Sequence, residues 1–174
     1  KILFASGLMK NIFPKAKLTN VNMNAIDKLD KGAFSVFMGM LLLDYGNDAE
    51  KISKATVRLS NSEAKDAQSI VDWNNNSAKL NSDKLEMVKF SQKYDKSMID
   101  KYLEATGKTT LTSRLKKLKV TSIKDLPING KDLTQLGFRG KMIGDAMNFA
   151  LSYAVNNNTN NKDKILSAVQ DNFK

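Results

Sequence analysis

Apolar residues recur along this chain at intervals of three and four, and almost nowhere do they alternate with polar ones. That spacing lines one face of an α-helix and leaves a β-strand without a coherent face, so the chain is expected to be all-α. Ile2 to Asn11 reads as a short helix ended by Pro14, and Asn20 can cap a second one carrying Val21, Met23 and Ile26. Phe34, Val36, Phe37, Met38 and Leu41 to Leu43 are apolar nearly all round, which suits a buried central helix. Asp48 is expected to cap a helix through Ile52 and Ala55.

Ser60-Asn61-Ser62-Glu63 matches a capping box, in which hydroxyl and carboxylate each satisfy a backbone N–H left free at a helix start. The helix it opens carries Ala67, Ile70, Val71 and Trp73 and is expected to stop in Asn74-Asn75-Asn76. Two helical segments follow, over Leu85, Val88 and Phe90 and over Met98, Ile99, Tyr102 and Leu103. Leu111, Leu115 and Leu118, interleaved with Arg114, Lys116, Lys117 and Lys119, read as a basic amphipathic helix. Near Val120 the texture changes. Pro127 and Gly130 interrupt the rhythm, and Gly137, Gly140 and Gly144 cluster. The expected organisation is a multi-helix body over residues 1–119 and a small helical tail over 120–174. The tail should hold helices from Lys131 to Leu136, Lys141 to Val155 and Lys162 to Val169.

The 174 residues include no cysteine and no histidine. Disulfides and thiolate metal sites are excluded, and with histidine go the commonest general base and the commonest transition-metal ligand. No Asp-x-Asp pair offers two carboxylates to one pair of Mg²⁺ ions, and Asp27 and Asp30 lie among lysines as solvated helix residues. Gly107-Lys108-Thr109 imitates the end of a phosphate-binding P-loop. Tyr102 stands where the pattern needs its first glycine, however, and the preceding residues read as helix, so Gly107 is better taken as a helix C-cap. We therefore expect no catalytic residue, no metal site and no cofactor in this chain. Its longest apolar stretch, Phe34 to Leu43, is too short for the ~20 residues of a membrane span. The absence of cysteine suits a reducing, cytoplasmic compartment. The chain opens without Met inside an amphipathic pattern and reads as a piece of a longer protein.

What remains is charge. The net charge is +10, and between Lys84 and Lys124 eleven Lys/Arg face four Asp/Glu. A localised positive field of this kind favours a polyanion. A solvated lysine-rich face is the plainer alternative. The sharpest candidate site is the glycine turn between the first two tail helices. Arg139, Gly140 and Lys141 stand at the start of the second helix, where free N–H groups from Gly140 to Ile143 can cradle a phosphate, and Gly144 permits close approach by another helix or a backbone. Lys131, Arg114, Lys116, Lys117 and Lys119 complete the expected polyanion-binding set.

Leu126, Ile128, Gly130, Asp132, Leu133, Leu136, Gly137, Gly140, Ile143 and Gly144 together resemble the C-terminal tail of bacterial tRNA nucleotidyltransferases, the CCA-adding enzymes and their poly(A) polymerase relatives. Phe4 to Pro14 is similar to the start of the body region in that family, and Arg58-Leu59-Ser60-Asn61-Ser62-Glu63 to a helix start within it. The family's turn usually carries prolines beside the glycine, where this chain has Arg139 and Lys141. The resemblance implies a tRNA-binding body and tail that hold the tRNA while an N-terminal head adds nucleotides to its 3′ end. It places the catalytic carboxylates, Mg²⁺ and nucleoside triphosphates in that head, so this chain is expected to be inactive alone. A helix-hairpin-helix DNA-binding module and a protein-interaction domain are the alternatives.

Overall fold

The computed structural model describes residues 6–17, 23–30 and 32–173, and among them it contains eleven α-helices and no strand. The chain divides into two compact units. The first comprises residues 1–82 and 90–112, the second residues 83–89 and 113–174. The expected positions Ile2 to Ala5, Asn20 and Val21 lie outside the described residues.

The first unit is arranged around one long helix. Short helices α1 (Leu8–Ile12) and α2 (Met23–Ile26) lead to α3 (Phe34–Leu41), a 3-10 segment (Leu43–Asp48), α4 (Ala49–Val57) and the 22-residue α5 (Asn61–Ser82). Next come α6 (Lys84–Lys93), whose residues up to Lys89 belong to the second unit, and α7 (Lys96–Ala105). Helices α3, α4 and α7 all pack on α5. Met9, Phe13, Met38, Leu41, Leu42, Leu59, Ala64, Ala67 and Val71 form a continuous apolar core. The apolar α3 is buried along most of its length as expected, although Phe34 at its start is exposed and stacks on Phe37. Gly39 is where α3 meets α5: a Cβ there would lie 2.6 Å from Ile70 Cβ and 2.7 Å from the Ala67 carbonyl oxygen.

Three local expectations change. The capping box is present, with Ser60 N–H donating to Glu63 Oε2 (3.0 Å) and Glu63 N–H to Ser60 Oγ (3.3 Å). The helix does not stop at the asparagines, however. It runs through Asn74, Asn75 and Asn76 because Trp73 is fully buried before them and Leu80 is buried after them, so packing on both sides overrides weak propensity. Asn76 Nδ2 bonds back to the Asp72 carbonyl (2.8 Å), satisfying its side chain within the helix. Helix α4 starts after Asp48, yet the Asp48 side chain makes no cap bond. Gln68 of α5 supplies it, with Oε1 accepting the Glu50 N–H (2.9 Å). Gln68 Nε2 also donates to Gly46 O and to Asp72 Oδ1, and Asp72 Oδ2 accepts the Tyr94 hydroxyl. One buried amide thus ties the 3-10 segment, α4 and α5 together.

The third change concerns the basic segment. Helix α8 (Leu111–Leu115) is only five residues long, and Lys116, Lys117 and Lys119 lie in the turn that follows. Gly107 ends α7 as a C-cap, at φ 71°, with Gly107 N–H on Glu104 O and Lys108 N–H on Leu103 O.

The second unit holds a 3-10 turn (Ile123–Asp125), α9 (Gly130–Gln135), α10 (Lys141–Asn156) and α11 (Lys162–Phe173). The last two run one and four residues beyond expectation at their C-terminal ends. Helix α10 is the hub, with α9, α11 and the 3-10 turn against it. Its buried stripe is Ala146, Ala150, Leu151, Ala154 and Val155. Phe173 closes the far end, edge-on to both Phe138 and Phe149.

Candidate nucleic-acid interface

The glycine turn is built from both sides. Asn129 caps α9, its side chain accepting N–H groups from Lys131 (2.8 Å) and Asp132 (3.3 Å), while Asp132 Oδ2 accepts the Asn129 N–H in return. Gly137 ends α9 at φ 92°, with its N–H on Thr134 O and the Phe138 N–H on Leu133 O. Leu133 and Phe138 are both buried beneath that turn. Gly140 then starts α10 at φ 53°, ψ −128°, a conformation that side chains rarely adopt. The helix–turn–helix expected from the sequence is present.

The turn faces solvent. Arg139, Gly140, Lys141, Met142 and Gly144 are all exposed, and nothing lies within 4 Å of a Cβ added at Gly140 or Gly144. Lys131 is exposed on α9. No side chain caps α10. The cradle is narrower than the sequence suggested, though. The Met142 N–H already bonds Arg139 O (3.1 Å) and the Ile143 N–H bonds Gly140 O (3.2 Å), because the chain closes a tight turn as it enters the helix. An anion at this end would meet the amides of Gly140 and Lys141 and the two cationic side chains.

The other expected basic residues gather elsewhere. Lys116, Lys117 and Lys119 are exposed, and Arg114 is half-buried. The Lys117–Lys119 backbone lies against Asn158, just beyond the last turn of α10, with Lys119 N–H donating to Asn158 Oδ1 (2.9 Å) and Asn158 Nδ2 to Lys117 O (3.2 Å). Helix α10 has 16 residues, so Arg139 and Lys141 stand about 24 Å from this lysine turn at ~1.5 Å per residue. The candidate residues therefore form two groups, one at each end of one helix.

Sequence reasoning passed over Asn158 and Lys84. Lys84 Nζ lies 3.5 Å from the Asn156 carbonyl, at the same end of α10 as the lysine turn. The usable signal for Asn158 was its place just after a helical pattern, where asparagine adopts the left-handed conformation more readily than other side chains; its φ is 46°. Electrostatics within the unit is local. The Lys162 ammonium beside Asp132, with the Asn129 amide, holds that carboxyl below its usual range. The Thr121 backbone amide does the same for Asp125. Among the described residues there is no cluster of three metal-ligating side chains, and no helix is long and apolar enough to cross a membrane.

Residues 39–169, about three quarters of the chain, match the family described as tRNA nucleotidyltransferase domain 2. No curated protein and no solved structure matches the chain.

Proposed function

The chain belongs to the tRNA nucleotidyltransferase domain 2 family, and from that premise we propose that it binds tRNA and positions it for nucleotide addition at the 3′ end by a catalytic head domain of the same protein. The observation that carries this reading is the exposed Arg139-Gly140-Lys141 turn at the uncapped start of α10. Two cations and unobstructed backbone suit phosphate oxygens, and double-stranded RNA is read mostly through its phosphates and 2′-hydroxyls rather than its base edges. Mg²⁺ and nucleoside triphosphates belong, in this reading, to the head. The setting is the cytoplasm, where tRNA is matured.

Titration of the full chain with tRNA tests the proposal. Affinity should fall steeply between low and high salt, because each phosphate neutralised releases condensed counterions. The double variant Arg139→Ala, Lys141→Ala should weaken binding and flatten the salt dependence by roughly two units of slope. Salt-independent binding, or wild-type affinity in the double variant, would remove the turn from the interface. The α9–turn–α10 hairpin also fits a helix-hairpin-helix grip on duplex DNA. Competition between tRNA and duplex DNA of equal length separates the two readings, with tRNA expected to win. Failure to bind either at moderate salt would leave a protein-interaction domain.

A further inference from the structure

Asn158 does two jobs at once. Its left-handed backbone closes α10, with its own N–H on Val155 O (3.2 Å) and the Thr159 N–H on Ala154 O (2.9 Å). Glycine would do as much at that position. The asparagine side chain adds two hydrogen bonds to a backbone segment about forty positions earlier, one accepted from Lys119 N–H and one donated to Lys117 O. The stretch Lys116 to Lys119 carries three exposed lysines and is fixed at the end of α10 by an uncharged residue. Lys84 reaches the same end through its contact with Asn156 O. Its neighbour Asp83 caps the start of α6, where its Oδ1 accepts the N–H groups of Leu85 and Glu86. The negative end of the α10 dipole accounts for one favourable lysine, but not for a fixed turn bearing three more.

Resting on the reading that this chain binds RNA, we propose that Lys84, Lys116, Lys117 and Lys119 form a second phosphate-binding anchor. Asn158 positions it, and it works with Arg139 and Lys141 at the other end of α10 so that one RNA is gripped at two separated stretches of its backbone. A separation of about 24 Å exceeds the reach of a single phosphate group and suits an extended, folded polyanion.

The test uses the full chain, tRNA as the probe, and three proteins beside wild type: Asn158→Gly, the triple variant Lys84→Ala, Lys117→Ala, Lys119→Ala, and Arg139→Ala, Lys141→Ala. The triple variant should bind about tenfold or more weakly, with the salt slope reduced by roughly two to three. Asn158→Gly keeps the left-handed turn and every charge, yet should bind several-fold more weakly because the lysine turn is no longer fixed. The slope reductions of the two charge variants should add when combined, as expected for separate contacts. Wild-type affinity in the triple variant and in Asn158→Gly, with binding lost in Arg139→Ala, Lys141→Ala, would overturn the second anchor while leaving RNA binding intact. Affinity losses that merely follow the unfolded fraction measured by circular dichroism would overturn it too, by reducing Asn158 to a structural cap. If wild type itself fails to bind tRNA, the reading beneath both anchors fails.

Discussion

The ammonium of Lys162 lies 2.6 Å from Asp132 Oδ1, while the other oxygen of that carboxylate accepts the Asn129 amide at 2.8 Å. One side chain thereby caps the start of α9 and holds the start of α11. Asp132 is part of the stretch that resembles the nucleotidyltransferase tail, and its place here is in the architecture of the unit.

The Asp132 carboxyl titrates below its ordinary value because Lys162 and the Asn129 amide favour the charged form. A group depressed in the folded state contributes stability above its unfolded pKa and loses that contribution as pH falls through the folded one. The melting-temperature advantage of wild type over Asp132→Asn should therefore be constant from pH 5 to 7 and shrink below about pH 4. Thermal melts across that range check it, and an advantage that persists at pH 2 would show that the charge is not responsible. Asn129→Ala, which removes the cap from the other side, should cost about 1 kcal/mol.

Gly39→Ala should be among the most damaging single-methyl additions in the first unit. The new Cβ meets the backbone carbonyl of Ala67 as well as the Ile70 side chain, so α3 must move away from α5. Overpacking of this kind costs about 1–3 kcal/mol, and more where backbone must give. Urea unfolding followed by Trp73 fluorescence measures it.

Asn75 is exposed in the middle of α5. Asn75→Ala should stabilise the protein by a few tenths of a kcal/mol or more, since alanine is the better helix former. Asn75→Pro should destabilise it by about 3 kcal/mol. A loop at this position would tolerate both substitutions, so the pair of denaturation curves discriminates helix from loop directly.

Gly144 is exposed inside α10, and an added methyl there meets nothing. Gly144→Ala should stabilise the helix by about 0.5–1 kcal/mol. If the α10 start carries RNA phosphate, the same substitution should weaken tRNA binding while raising the melting temperature. Opposite movement of these two readouts is the expected result; a gain in both would place Gly144 outside the interface.

The all-α architecture, the Ser60–Glu63 capping box, the Gly107 cap and the α9–turn–α10 hairpin were legible because each rests on contacts within a few residues. The exceptions all depend on distant partners. Asparagines 74–76 look like a terminus until Trp73 and Leu80 are seen to be buried on either side of them. Asp48 looks like the cap of α4 until Gln68, eighteen residues after Glu50, takes the role. The segment from Leu111 to Lys119 reads as a basic amphipathic helix, yet α8 stops at Leu115 and Asn158 holds the following turn. The two-group arrangement of the candidate cations follows from that last bond, which no local pattern encodes. Engagement of the Met142 and Ile143 amides in turn bonds is likewise a matter of how sharply the chain enters α10.

The second compact unit draws on two stretches of chain, Asp83–Lys89 and Ser113–Lys174. A fragment begun at Ser113 would leave behind Lys84 together with the buried Met87 and Val88. Dissection by simple truncation is thus a poor route to studying the tail in isolation; a circular permutant or a split-and-reassembled pair of peptides would preserve its full complement of residues.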